Sequence, residues 1–468
     1  MAVKEKLKIA LVGAGSVNFS PITIVDLLLS ERLRALDMSV ALMDIDGDGV
    51  DKALSFAREA GLAAKSEVSF TATTDLDTAL AGADFVITAI EKDRYHYWSI
   101  DFHIPRRYGF RQIYGENGGP GGLFHALRNI PPMLHIARRM EELCPEALLI
   151  NYTNPEAKLV EVVSKLTAVR AVGVCHGFQM GVEQVVRLLE RPADSMDIQG
   201  YGLNHFGFLT TIRDRQTREN LYPLLKERER SADWMSDWDE LALSRTMLRL
   251  YGLYPYPGAN HIGEYIAWSD GFLASDKLQY FFDPATEEPW KERTPPSFVY
   301  SFAQNPTQTA LWNKEDGARD PMWTYRDKFR YTPEKLKKSQ ECGVGIIEAV
   351  VFDLQTAFPS LNVLNKGAIP EMLEGMCVEG PCVVGANGVN LTAVEEALPT
   401  AITGMLNLQG TIHRLLVEAY AENSREKLLQ AILLDPTVSG YPNAVALIDE
   451  MFERESDLLP PLEWHGRR

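Results

Sequence analysis

The feature that most constrains this chain is a glycine-rich turn set directly behind an apolar run. Lys8–Val12 (KIALV) leads into Gly13-Ala14-Gly15-Ser16, and a helical pattern follows from about Asn18 to Leu29. A strand, a tight turn and a helix in that order aim backbone N–H groups and a helix N-terminus at the place where a pyrophosphate sits. Gly-x-Gly alone is a weak signal, and Asn18 stands where the third glycine of the usual G-x-G-x-x-G belongs. Its position behind the first strand strengthens it, as does Asp44 at the end of a second apolar run (ALMDID). A carboxylate there accepts hydrogen bonds from the adenosine ribose and repels a 2′-phosphate, so the expectation is NAD rather than NADP. Gly13, Gly15, Ser16 and Asp44 are the cofactor-binding candidates.

The first half of the chain continues this rhythm. Val40–Met43, Phe85–Ile90, Leu148–Ile150 and Ala171–Val174 are short apolar runs, with amphipathic helical stretches such as Asp51–Ala64 and Leu134–Leu143 between them. Strands alternating with helices of this length predict a parallel sheet covered on both faces. Around Asp197 the pattern changes: Ile198–Arg213 reads as strands and turns, and the remainder reads as mainly helical, in Leu241–Leu250, Pro333–Asp353, Leu398–Ala421, Arg425–Leu433 and Asn443–Arg454. Phe282–Trp323, rich in Pro, Trp, Asn and Thr, reads as a long irregular loop or lid. The predicted fold is α/β: a Rossmann, doubly wound parallel sheet over residues 1–196, then a mixed α+β substrate, metal-site and oligomerisation domain over residues 197–468.

Composition narrows the partners. The formal net charge of −17 argues against nucleic acid, because phosphate binding needs a basic surface. No run of eighteen apolar residues is present, so no membrane span is expected. The start MAVKEKLKIALVGAG has no apolar segment followed by a cleavage site, so no export is expected. Five cysteines then read as reduced thiols of a cytoplasmic protein, free to bind metal.

Cys175-His176-Gly177 lies just past the predicted strand Ala171–Val174, and Asn204-His205 follows about thirty residues on. Ligands of open α/β sheets gather beyond the carboxyl ends of strands, which is where Cys175 falls. A thiolate and an imidazole can hold a divalent ion and leave positions open for substrate oxygens. The spacing is not diagnostic, since a Cys behind a buried strand is more often packing and a lone His more often a satisfied core residue.

Several motifs then converge in order: GAGS with MDID, Glu116-Asn117-Gly118-Gly119-Pro120-Gly121-Gly122, Asn151-Tyr152-Thr153-Asn154-Pro155, Cys175-His176-Gly177 and Gly202-Leu203-Asn204-His205. Asn365–Pro370 and Leu434-Asp435-Pro436 extend the series toward the C-terminus. Together they resemble glycoside hydrolase family 4, the NAD- and metal-dependent glycosidases, whose fold is related to lactate and malate dehydrogenases; this NAD-dependent family departs from the two-carboxylate scheme of most glycosidases. The resemblance implies hydride transfer from sugar C3 to NAD, acidification and removal of the C2 proton, loss of the C1 substituent, addition of water and return of the hydride. It implies a divalent ion held by Cys175 and His205, usually Mn²⁺, although a thiolate ligand equally permits Co²⁺, Fe²⁺ or Zn²⁺. It implies Tyr265 as the base, in the segment Asn260–Tyr265, with Glu264 and His261 as weaker candidates for assisting proton transfer. Asn154 would bind the sugar near C2 and C3, His176 and Asn117 would touch substrate, and Asn151 would join the cofactor site. A homodimer or homotetramer is implied by the same analogy.

The sugar is read from conflicting signs. The Cys-His pair resembles the branch acting on unphosphorylated α-glucosides, α-galactosides or hexuronides, whereas Glu116–Gly122, Leu123–Pro131 and Gly202–Gly207 resemble the phospho-glycosidase version. Arg94, Arg106, Arg107, Arg111 and Arg128 are candidates to pair with a carboxylate or phosphate, or are solvated helix charges. The expectation is an unphosphorylated hexoside or hexuronide with an α linkage. The alternatives are a 6-phospho-glycosidase of the same family and an NAD-dependent hydroxy-acid dehydrogenase.

Overall fold

The structure is a computed structural model, and it describes residues 5–16, 19–231, 242–269 and 336–466. The expected lid at Phe282–Trp323 and the Asn18 position lie outside the described residues.

The fold is built on one continuous sheet. Strands β1 (Lys6–Val12), β2 (Asp37–Met43), β3 (Ser69–Thr73), β4 (Phe85–Thr88), β5 (Leu148–Asn151) and β6 (Arg170–Gly173) are all parallel and lie in the order β3-β2-β1-β4-β5-β6. That order reverses direction at β1, opening a crevice beyond the carboxyl ends of β1 and β4, where dinucleotide-binding folds take their ligand. Alternate residues of β1 face opposite sides. Leu7, Ile9 and Leu11 pack with helices Ser20–Leu29 and Gly47–Ala64, while Ala10 and Val12 pack with helix Gly119–Leu143 and the C-terminal helices. Burial on both faces is why these strands read as unbroken apolar runs.

The sheet does not stop at β6. It continues through β10 (Thr356–Leu364) and β11 (Cys377–Gly385) to β7 (Met196–Leu203), β8 (Phe206–Asp214) and β9 (Tyr254–Tyr256), with β12 (Gly388–Leu391) paired to β11. These added pairings are antiparallel. The mainly helical reading of the second half therefore needs correction at 356–391. Cys377–Gly385 is buried almost throughout and lacks polar-apolar alternation, so its period alone does not separate strand from helix. The partial alternation of Thr356–Leu364 is interrupted by a register shift between Phe358 and Leu361. The helical reading of Pro333–Asp353 also shortens, to Gly343–Val351 among the described residues.

Helices Thr400–Ala421, Arg425–Leu434 and Tyr441–Arg454 return to pack against helix Gly119–Leu143 on the Rossmann half. Gly119–Leu143 runs through Pro131 and Pro132, where the sequence reading started a helix only at Leu134. From Gly119 to Ile130 every residue is buried, so this segment lacks the polar face by which a surface helix is recognised.

Candidate active site

The cofactor end of the crevice is built by the turn behind β1. The N–H groups of Gly13 and Ala14 both donate to the carbonyl of Met43, at 2.9 Å each, which ties the turn to the end of β2. Gly13 has φ of +90°, and a Cβ there would fall 2.2 Å from the Ala89 carbonyl oxygen, so no larger residue fits. The N–H of Gly15 donates to Asp44 Oδ2 at 2.7 Å, and Asp44 Oδ1 accepts from the N–H of Asp46 at 3.0 Å. Asp44 is thus held at the rim of the crevice beside Gly13, Gly15 and Ser16, as the sequence predicts. Asn151 is not. Its side chain accepts from Thr88 Oγ1 at 2.9 Å and from the Thr153 N–H at 3.0 Å, and donates to the Thr153 carbonyl. It is fully buried and braces the strand end instead of reaching the crevice.

The crevice is a single cleft of about 1950 Å³ that runs from Asp44 to a second group of residues, Glu116, Asn154, Cys175, His205 and His261. Its far end is assembled from distant parts of the chain. His205 occupies the turn between β7 and β8 and holds a left-handed backbone, φ +64°. Cys175 follows β6, and His261 sits in the short helix Ala259–Ile262. Ligand atoms of Glu116, His205 and His261 lie within 4.8 Å of one another. Cys175 lines the same cleft but is not part of that cluster.

Three residues expected at the site sit in its supporting wall. The carboxylate of Glu264 accepts the backbone N–H of Glu116 at 2.6 Å and of Asn117 at 3.0 Å, so it anchors the glycine-rich loop from behind. Gly118 presses against it, and a Cβ at that position would fall 2.6 Å from Glu264 Cβ. With its oxygens turned to these amides, Glu264 is not placed to move a substrate proton. Asn117 is buried, and its side-chain amide donates to Glu116 Oε2 at 3.3 Å rather than reaching the cleft. The Tyr265 ring stacks on Phe206 with centroids 4.9 Å apart, and its hydroxyl donates to the Asn204 carbonyl at 3.4 Å, a long and weak bond. Tyr265 is absent from the cleft wall, whereas Tyr114 lines it. His176 lines the cleft with its ring largely exposed, 3.7 Å from Glu341.

The sequence reading gave Glu116 and Arg94 no specific place here, yet they form the charged heart of the site. Arg94 donates to Glu116 Oε1, lies 3.6 Å from Glu91 and stacks over Trp98. His125 joins Glu91 at 2.8 Å and the Glu116 carbonyl at 2.8 Å. Asn154 donates to Glu116 Oε1 at 3.4 Å. Burial pushes the Glu116 carboxyl up, but Arg94, His261 and His125 together hold it below its usual range, so it is an anion.

Burial pushes His205 well below the usual imidazole range, helped by His261, His176, Lys158 and Arg94. Burial also takes His261 down to about 4, against the pull of Glu116. Both rings are neutral near pH 7, the form that ligates a metal. His205 Nδ1 is buried with no hydrogen-bond partner. A neutral imidazole nitrogen left bare beside an anionic carboxylate and a second imidazole fits a divalent cation. Burial raises the Cys175 thiol, with Glu379 adding to the shift, while hydrogen bonds from the Gly177 N–H and the Asn204 side chain favour the thiolate. A bound cation would supply the missing positive charge.

These shifts predict acid lability. The unfolded chain takes up a proton on a histidine near pH 6.5, and His261 in the folded chain does not until about pH 4. Its folded value is depressed, so its contribution is present above pH 6.5 and is lost as pH falls through 4. The loss from His261 is on the order of 3 kcal/mol, and His205 adds in the same direction. Denaturant midpoints should therefore fall between pH 6.5 and 4, and His261→Gln should flatten that slope.

Residues 8–190 match the model of the family 4 glycosyl hydrolases, and residues 200–438 match that family's C-terminal domain. The chain belongs to glycosyl hydrolase family 4. It is 31% identical over 464 residues to an alpha-glucosidase of Erwinia rhapontici, covering 97% of this chain and 98% of that protein. It is 28% identical to an alpha-galactosidase of Bacillus subtilis, with 97% and 99% covered. Among solved structures, a 6-phospho-alpha-glucosidase from gut microorganisms, in complex with NAD and Mn2+, superposes with a TM-score of 0.75 at 22% identity, over 98% of this chain and 100% of that one. This family 4 enzyme thus carries the expected fold, and among its described residues no helix is long and apolar enough to cross a membrane.

Proposed function

We propose that this chain hydrolyses the O-glycosidic bond of an unphosphorylated α-hexoside or α-hexuronide, with NAD and a divalent cation, most simply Mn²⁺, as resident cofactors. The observation that carries the reading is the single cleft joining the Asp44 and Gly13 crevice to the cluster of Glu116, His205 and His261. When bound, NAD takes and returns a hydride at sugar C3, and the cation acts as a Lewis acid at the adjoining oxygens. Asp44 would accept the hydroxyls of the adenosine ribose, and the turn at Gly13, where no side chain fits, would let the backbone approach the pyrophosphate. His205 and Cys175 hold the cation, with Glu116 and His261 close enough to complete its shell. Asn154, held through Glu116, orients the C2–C3 edge of the sugar, and His176 meets it from the exposed rim.

Tyr265, just behind the cleft wall, is the proposed base for the C2 proton: its hydroxyl makes only a long, weak bond to the carbonyl of Asn204, the residue before His205 in the chain. Burial raises its pKa well above the usual value, so it needs the cation's field to ionise. Tyr114, in the cleft wall, is the second reading. If Tyr265→Phe still exchanges C2 hydrogen with solvent at the wild-type rate, the base is Tyr114. Residues 1–196 act in this scheme as the cofactor half and residues 197–468 as the substrate and oligomerisation half.

Among the described residues, four of the arginine candidates already have acceptors, which favours a substrate without phosphate. Arg128 is clamped between Asp101 and Glu455, Arg107 pairs with Glu450, Arg106 donates to the Gln112 carbonyl, and Arg94 is engaged by Glu116 and Glu91. Kinetics on aryl α-glucosides, α-galactosides and α-hexuronides against their 6-phosphates should give the larger kcat/KM for an unphosphorylated compound. Turnover of the 6-phosphates alone would contradict this reading and leave the phospho-glycosidase alternative.

A further inference from the structure

Behind the turn that carries His205 lies a buried polar chain contributed by the far end of the sequence. Ser360 on β10 donates to Glu379 Oε1 at 2.7 Å. Glu379, on β11 and opposite Gly202 of β7, accepts the side-chain amide of Asn204 on Oε2 at 3.3 Å. Glu379 and Asn204 are both buried, and Asn204 Oδ1 has no partner. The amide is therefore turned so that its NH₂ group, and not its oxygen, serves the carboxylate.

The backbone makes this tie consequential. His205 is a non-glycine residue in the left-handed region, φ +64°, a strained conformation that persists only where its surroundings enforce it. The residue before it is Asn204, so the Glu379 carboxylate holds the chain directly beside a proposed metal ligand. Outer residues that orient ligands in this manner hold metal affinity without touching the ion.

We propose that Glu379 is a positioning residue for the metal site, acting through Asn204 to fix the strained turn of His205 in its ligating arrangement. The inference rests on the metal reading given above and deepens it. Glu379 lies in neither the cleft wall nor the cofactor crevice, so its replacement acts on metal binding and spares NAD.

The test is equilibrium Mn²⁺ binding followed by the electron paramagnetic resonance signal of the free ion, with NAD⁺ binding measured in parallel on each protein. Glu379→Ala should weaken Mn²⁺ binding by about 10- to 100-fold with NAD⁺ affinity unchanged. Glu379→Gln, which keeps the volume and an oxygen acceptor for Asn204, should restore most of that loss. Glu379→Leu, which fills similar volume without an acceptor, should not, a difference that a general packing role does not predict. Asn204→Ala should weaken Mn²⁺ to a similar extent, and combined with Glu379→Ala should add little, because the two act along one path. If Glu379→Ala does not fold, Asn204→Ala and Glu379→Gln still decide the matter. Wild-type Mn²⁺ affinity in a folded Glu379→Ala or Asn204→Ala protein overturns the proposal alone, as does a Gln variant no better than Ala. Absence of saturable Mn²⁺ binding in the wild type overturns the metal reading as well.

Discussion

His205→Asn should bind Mn²⁺ far more weakly than the parent and lose its glycosidase activity, while its thermal midpoint stays close to the parent's. Asparagine is chosen because the His205 backbone is left-handed, φ +64°, a conformation that Asn tolerates better than most residues. The imidazole is removed without asking the turn between β7 and β8 to change shape. The expected loss in metal affinity exceeds the ~100-fold typical of losing an outer partner, because a ligand itself is lost. His205→Ala is a poorer experiment, since alanine is strained at this φ and confuses lost stability with lost binding. Titration of Mn²⁺ and kcat/KM on one protein preparation decide the outcome. Near-parental metal affinity in His205→Asn would remove His205 from the site, and the bare Nδ1 would then need another explanation.

Arg128→Met should be among the most destabilising single changes in the molecule. The Arg128 side chain is 3% exposed and its guanidinium donates to Asp101 and Glu455, each at 2.7 Å and each fully buried. Burial pushes both carboxyls up, and Arg128 is the cation that opposes it. Removing the cation leaves two carboxyl groups in a dry site, at a cost of about 3–5 kcal/mol. Because Glu455 directly follows helix Tyr441–Arg454, the loss should appear first as loosening of the C-terminal helices from helix Gly119–Leu143. The two carboxyls take up protons as pH falls, so the deficit should shrink in acid, opposite in sign to the histidine effect. Combining Arg128→Met with Asp101→Asn and Glu455→Gln, which removes all three charges together, should recover much of the stability. By contrast Arg139, a quarter exposed and paired with half-exposed Asp77, should change stability by less than about 1 kcal/mol when made alanine. Urea midpoints of the three proteins at pH 5 and 7 measure this, and equal losses at Arg128 and Arg139 would contradict it.

What the sequence revealed follows the physics of each element. The parallel strands of the first half were legible because burial on both faces makes them apolar runs between turn residues, and the Gly13–Ser16 turn and Asp44 fell where their spacing puts them. The edge strand Ser69–Thr73 was missed because its residues are half exposed and polar. Strands Thr356–Leu364 and Cys377–Gly385 were missed although they pair with each other and Asn387-Gly388 marks the tight turn from the second into Gly388–Leu391. Only their pairings to β6 and β7 lack a local signal. Within the site, Cys175, His205 and His261 were identified as residues, but the cluster was not. Glu116 sits in a motif that was recognised, yet only its neighbour Asn117 was given a role, because a carboxylate beside a glycine-rich loop carries no periodic signal. Which of two adjacent side chains faces the cleft is set here by Glu264, nearly 150 residues downstream.

The central claim is a glycosidase that oxidises and reduces its substrate within each turnover. It is tested most directly by hydrolysing an aryl α-glycoside in heavy water, with NAD⁺, Mn²⁺ and a thiol each present or withheld. The account predicts sugar release only with the cofactor and the cation, deuterium at C2 of the product, and no net NADH. Release of sugar with hydrogen retained at C2, or steady accumulation of NADH without glycoside cleavage, would contradict it.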